Sequence, residues 1–144
     1  MKNNKFNTVS TFTALALSVL VGTSTAQAGQ TDEQRSLSVD LTAAAKLVNS
    51  TAPQMLDEET RLDSVATFSN YIIYNNTMVN YSASDFEVAE FERQIQTIVI
   101  DNLCGNAALA EFIQRGVVMV YRYHGKEGNY IAELAKDMST CKKS

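Results

Sequence analysis

The clearest signal in the chain is a change of hydrophobic period. Leu37, Leu41, Ala44 and Val48 recur at steps of four, three and four, with Leu47 beside them, which lines one face of a helix. Pro53 ends that segment, because the residue before a proline is driven out of the helical region. From Asp57 to Tyr81 the period drops to two. One run sets Leu62, Ala66 and Phe68 against Arg61, Asp63, Val65 and Thr67. The next sets Ile72, Tyr74 and Met78 against Tyr71, Ile73, Asn75, Thr77 and Val79, and its central Asn75-Asn76-Thr77 discourages a helix. Ser69-Asn70 supplies turn chemistry between the runs, so this stretch is expected to be a β-hairpin.

The period then becomes helical again. Ser84 and Glu87 have the spacing of a capping box, in which each side chain satisfies the other's free backbone N–H. Val88, Phe91, Ile95, Ile98 and Val99 form an apolar stripe running on to Leu103, a pattern expected to be core, and Gly105 breaks it. Ala107 to Arg115 reads as a shorter helix with Gly116 at its end. Val117 to His124 is the most strand-like run, with Val117, Met119, Tyr121 and Tyr123 on one face and Val118, Val120, Arg122 and His124 on the other. A loop over Gly125–Gly128 leads to a returning strand, Asn129 to Lys136, whose Ile131 and Leu134 fall out of phase and call for a bulge. Gly29–Ser36 is expected to fray, Asp57-Glu58-Glu59 to be a solvated turn, and Met138–Ser144 to be a tail held only through Cys141. The order helix, hairpin, two helices, hairpin implies an α+β fold. Its expected form is an antiparallel sheet of about four strands with helices packed on one face.

Length and composition narrow this picture. A chain of 144 residues suits one domain with one core. Lys2 and Lys5, the apolar run Thr11–Val21 and the small-residue site Ala26-Gln27-Ala28 read as a cleavable signal peptide over residues 1–28. Residues 29–144 are then a single α+β domain, expected in the periplasm or secreted. No cysteine stands at the cleavage point to take a lipid anchor, and no later run is long enough for a membrane span. Without Lys2 and Lys5 the chain carries 10 Lys and Arg against 16 Asp and Glu, or −6. That balance argues against nucleic acid and anionic lipid as partners, because both require clustered positive charge.

The two cysteines, Cys104 and Cys141, are most simply a disulfide in an oxidising compartment, worth about 4 kcal/mol in the chain-entropy account. The alternative is a catalytic thiol served by the single imidazole, His124, whose own reading is an exposed residue beside a turn. No nucleotide-binding, zinc-protease or hydrolase motif is present, and no catalytic, cofactor or metal residue is assigned. The remaining route to an enzyme is a pair of carboxylates drawn from Asp57, Glu58, Glu59, Asp63, Glu87, Glu90 and Glu92, as in a small secreted hydrolase or ligand-binding protein with a cleft between sheet and helices. The preferred reading is a non-enzymatic protein that acts by protein–protein contact. Its candidate surface is the polar strand face bearing Arg61 and Asp63, and an exposed sheet edge would also permit a homodimer.

Two stretches carry a resemblance. One is Val48-Asn49, Pro53 and the run MLDEETRLDSV at 55–65, followed by Tyr74 and Thr77-Met78-Val79-Asn80; the other is Cys104, Gly116-Val117, Tyr121-Arg122-Tyr123 and Cys141. Together they resemble a group of small exported bacterial proteins, some of them called quorum-sensing-regulated virulence factor-like. The second stretch resembles, more distantly, the β-type pilotins of type II secretion, which are disulfide-bonded α+β domains that escort an outer-membrane secretin. That resemblance implies the fold and a secretion-linked partner. Pilotins are lipoproteins, however, and this chain has no lipid-bearing cysteine, so the transport role does not carry over.

Overall fold

The structure is a computed structural model that describes residues 29–142. The predicted signal peptide, residues 1–28, lies outside the described residues.

Helix α1 runs Asp32–Asn49, starting well before the expected position. The reason is a capping box that the sequence reading passed over: Thr31 Oγ1 accepts the Gln34 N–H at 3.2 Å, and Gln34 Oε1 accepts the Thr31 N–H at 2.9 Å. With two free donors satisfied, Gly29–Ser36 does not fray as a unit. Leu37, Leu41 and Ala45 are the residues α1 buries.

Five strands follow: β1 Gln54–Met55, β2 Thr60–Phe68, β3 Tyr71–Met78, β4 Val118–Gly125 and β5 Tyr130–Asp137. They form one sheet in the order β1-β2-β3-β4-β5. Two features correct the expected sheet. It has five strands rather than about four, because the segment after Pro53 pairs Gln54 with Leu62 and Met55 with Arg61. It is also mixed rather than antiparallel, since β3 and β4 run parallel from Tyr71↔Val118 to Met78↔Gly125. Period-two alternation is the same in either direction, so the sequence pattern does not reveal which way two strands pair.

A second correction concerns β2. Its pairing with β3 shifts between Leu62 and Ser64, a bulge that inserts one residue and reverses the facing of everything after it. Leu62 and Val65 are therefore buried, while Ala66 and Phe68, read as facing with Leu62, point outward. The bulge expected in β5 is present between Tyr123 and His124, and it lets both Ile131 and Ala132 be buried.

Residues 79–117 carry the chain back so that β4 can start beside the start of β3. This crossover holds a 3-10 turn at Ala83–Asp85, α2 (Val88–Ile98), 3-10 turns at Ile100–Gly105 and Ala107–Leu109, and α3 (Ala110–Arg115). Gly116 closes α3 in the left-handed conformation, at φ 63°. The capping box sits two residues earlier than the sequence reading put it. Asp85 Oδ2 accepts the Ser82 N–H at 2.7 Å, whereas Glu87 starts α2 without a side-chain cap. The interruption comes from Phe86, whose extended backbone turns its ring inward.

The helical layer covers one face of the sheet. One core cluster unites Leu37 and Leu41 of α1 with Leu62, Val65, Ile72 and Met119 of the strands and Ile100, Leu103, Val117 and Met138 beyond them. A second joins Met78, Phe91, Tyr123, Ile131 and Ala132, and Tyr121 and Leu134 pack against both. Cys104 and Cys141 are bonded, with Cα atoms 5.3 Å apart across a separation of 37 residues. The bond ties the crossover to the 3-10 turn Met138–Lys142, so the expected tail is folded as far as Lys142, and Met138 is fully buried.

Asn49 fastens α1 to the sheet. Its amide donates to Val65 O at 2.8 Å and accepts from Val65 N at 2.7 Å, standing in for the strand neighbour that short β1 leaves absent. Asn49→Ala leaves both backbone groups seeking water. It should lower stability by about 1–3 kcal/mol, measured by urea unfolding of the oxidised chain; an unchanged midpoint would show that the contact has no net worth.

Candidate functional site

The most developed concavity lies between α2 and the turn joining β1 to β2, with a volume of about 610 Å³. Its floor is a chain of rings. Phe86 stands edge-on to Tyr81 at 5.5 Å and to Phe91 at 4.9 Å, and Phe91 stands edge-on to Tyr123 at 5.2 Å. Next to Tyr81 the chain passes close over β4: a Cβ at Gly125 would lie 2.4 Å from Ala83 N, so only glycine lets the backbone of 82–83 rest on the end of that strand. Leu56 on one lip is 56 % exposed and Ile98 on the other is 67 % exposed. The α2 stripe expected to be core is thus only partly so: Phe91 is buried, but Val88 and Ile98 are exposed.

Five carboxylates line the groove, Asp57, Glu59, Asp85, Glu87 and Glu90, and no Lys, Arg or His does. Four of them hold local structure. Asp57 Oδ1 accepts the N–H groups of Glu59 and Thr60 at 2.8 and 2.7 Å, and these bonds, Glu59's first, hold its carboxyl below the usual range. Asp57-Glu58-Glu59 is therefore the exposed turn the sequence suggested, now as the link from β1 to β2. Glu59 accepts from Tyr81 Oη at 2.7 Å, which raises that phenol's pKa. Asp85 caps its own turn, and Glu90 pairs with Arg93 and Gln94. Each of these bonds runs to a backbone N–H or to a Tyr, Arg or Gln side chain. Among the described residues no group of His, Cys, Asp and Glu is placed to hold a metal, and no helix is long and apolar enough to cross a membrane.

Arg61 and Asp63 lie elsewhere, on the sheet face that the helices leave bare. Arg61 Nε meets Asp63 Oδ1 at 2.5 Å, and Asp63 Oδ2 accepts from Thr77 Oγ1 at 2.5 Å. The catalytic-thiol alternative is overturned, because both sulfurs are consumed in the disulfide. His124 is half-buried rather than exposed, edge-on to Tyr130 at 6.2 Å. A wider depression of about 730 Å³ between the start of α1 and the end of α3 offers little to grip. Leu37 is its one apolar lining residue, and its Arg115 is already paired with Asp40 and Glu111. The groove itself was missed by sequence reasoning. Its only linear trace is an apolar stripe on α2 wider than one face can bury, beside acids scattered over 57–90.

Three tyrosines of the covered face are strained toward neutrality by burial. Tyr74 and Tyr121 stack at 5.1 Å and both titrate high, while desolvation, with the Asp57 charge, pushes Tyr123 up to about 12. A phenol whose folded pKa exceeds its unfolded value of 10.0 lends stability below that value, and the contribution is lost as pH rises through the folded pKa. Unfolding free energy should therefore fall between about pH 10 and pH 12, with part of the tyrosinate absorbance appearing only on unfolding. All six tyrosines ionising together near pH 10 in the folded chain would contradict this.

No known protein-family model matches the chain, and no curated protein matches it by sequence. Solved structures do match in fold. A crystal structure of a protein from Pseudomonas aeruginosa inferred to be secreted superposes with a TM-score of 0.67 at 17 % identity, covering 79 % of this chain and 100 % of that one. The pilotin EpsS of the Vibrio vulnificus type 2 secretion system gives 0.61 at 11 %, over 78 % and 97 % of the two chains. The type II secretion system pilotin AspS of Vibrio cholerae gives 0.58 at 15 %, over 76 % and 95 %. At these identities the likeness is one of fold.

Proposed function

We propose that the chain is an exported, non-enzymatic binding protein that holds a segment of another polypeptide in the groove between α2 and the β1–β2 turn. One observation carries this reading: an aromatic floor with exposed Leu56 and Ile98 at its lips is bordered by five acids and no base. Apolar side chains of a partner would enter the floor, where most of the binding energy of such contacts lies. Basic side chains flanking them would meet the rim and set orientation and on-rate.

The solved pilotins of similar fold support a secretion-linked role, and the leader-like residues 1–28 support export to the periplasm or beyond. Co-regulation with virulence functions, implied by the sequence resemblance, is a finer reading of the same exported role. Pairing through a sheet edge has less in its favour. The free edge β5 carries a bulge together with Glu133, Lys136 and Asp137, features that discourage strand addition.

A photo-crosslinking residue placed at Ile98 in living cells should capture one defined partner. The same residue at Val39, which is 63 % exposed on α1, should capture none. Glu87→Lys with Asp85→Asn should weaken capture at Ile98 at least tenfold, and raised salt should act the same way. Equal yields from Ile98 and Val39 would contradict the proposal.

A further inference from the structure

Among the acids of the groove, Glu59 is the one bonded across to a distant segment. Asp57 and Asp85 take backbone N–H groups two or three residues away, and Glu90 takes Arg93 and Gln94 on its own helix. Glu59 instead accepts the hydroxyl of Tyr81, 22 residues further on, at Oε1 and 2.7 Å. Both ends of this bond are pinned. Glu59 O accepts from Val79 N at 2.8 Å, and its N–H is given to Asp57 Oδ1. Tyr81 N donates to Met78 O at 3.3 Å, Tyr81 O accepts from Lys126 N at 2.8 Å, and its ring stands edge-on to Phe86. The carboxylate is therefore exposed yet already placed, and no basic side chain lines the groove to neutralise it. A group fixed in this way loses little freedom when it takes a partner.

We infer that Glu59, held by Tyr81, is the point at which the groove receives one cation of its partner, and that it selects a lysine ammonium over an arginine guanidinium. The inference rests on the groove being a peptide-binding site and adds which side chain it takes. Tyr81 engages Oε1, which leaves Oε2 to meet the incoming charge. A guanidinium pairs best through two parallel N–H bonds, one to each carboxylate oxygen, and here it would have to share Oε1 with the tyrosine hydroxyl. An ammonium is a point charge with rotatable donors, so the single remaining oxygen serves it. The methylene stem of a lysine also suits the rings of Tyr81 and Phe86, which line the groove beside this carboxylate. Tyr81 is thus a positioning residue: it acts on the partner through Glu59, by fixing one oxygen and presenting the other.

The test is calorimetric titration of the oxidised chain with two synthetic amphipathic peptides, identical except that every basic position is lysine in one and arginine in the other. The lysine peptide should bind more tightly by about threefold, the worth of one exposed ion pair. Tyr81→Phe keeps the ring but frees Oε1, so the arginine peptide should gain and the preference should vanish or reverse. Glu59→Gln should weaken both peptides and abolish the preference. Glu90→Gln, whose carboxylate has its own partners on α2, should weaken both and leave their ratio unchanged. Failure of either peptide to bind the unaltered chain would overturn the groove reading itself. Binding with no preference for lysine, or a preference that survives Tyr81→Phe or Glu59→Gln, would overturn this inference and leave that reading standing.

Discussion

Because β3 and β4 lie side by side and run the same way, the chain leaving Met78 must travel back along the sheet before β4 can begin. A parallel pair needs a crossover, and the crossover must lie over one face of the sheet. Residues 79–117 are that crossover, and everything distinctive about the molecule follows from where they run. They cover the face that carries Ile72, Met119 and Tyr123, they build α2 against the far end of the sheet, and they leave the opposite face bare. The disulfide and Asn49 hold this arrangement from two sides. One clamps the crossover's turn at Ile100–Gly105 to the chain after β5, and the other sews the end of α1 to β2.

A groove arises because the crossover does not close fully on the sheet. Phe86 and Phe91 reach inward to Tyr123, but α2 is too amphipathic to turn Ile98 in as well. The turn at Asp57–Thr60 forms the other lip, with Asp57 held by the backbone N–H groups of Glu59 and Thr60 and Glu59 by the Tyr81 hydroxyl. The result is an aromatic-floored groove with exposed Leu56 and Ile98 at its lips. Asn76 is the one interior compromise, 2 % exposed with Nδ2 at 3.3 Å from Tyr74 O and its Oδ1 without a partner among the described residues. It lies between Leu62 of one core cluster and Tyr123 of the other, where the two meet.

The sequence announced local structure well. The helix over Leu37–Val48, the turn at Ser69-Asn70, the left-handed Gly116 and the bulge near Ile131 were all legible because each depends on neighbours in sequence. The parallel join of β3 to β4 was not, since alternation carries no information on direction. Nor was the reversal of Ala66 and Phe68, because a single extra residue at Asp63 is invisible until Leu62 and Ser64 are seen paired to Asn76 and Asn75. The cysteine pair was legible because two cysteines alone follow a leader-like segment that points to an oxidising compartment. The groove was not, because its acids come from three separate segments and its apolar lips look in sequence like ordinary core.

The account's central claim is that this fold binds a basic, apolar-anchored segment between α2 and the β1–β2 turn. Its most direct test is amide NMR of the oxidised chain titrated with a cationic amphipathic peptide, beside an acidic peptide with the same apolar residues. The account predicts shifts confined to residues 56–60, 81–87 and 88–99 with the cationic peptide, fading as salt rises, and none with the acidic one. Equal shifts with both peptides, or shifts lying outside those segments, would contradict it.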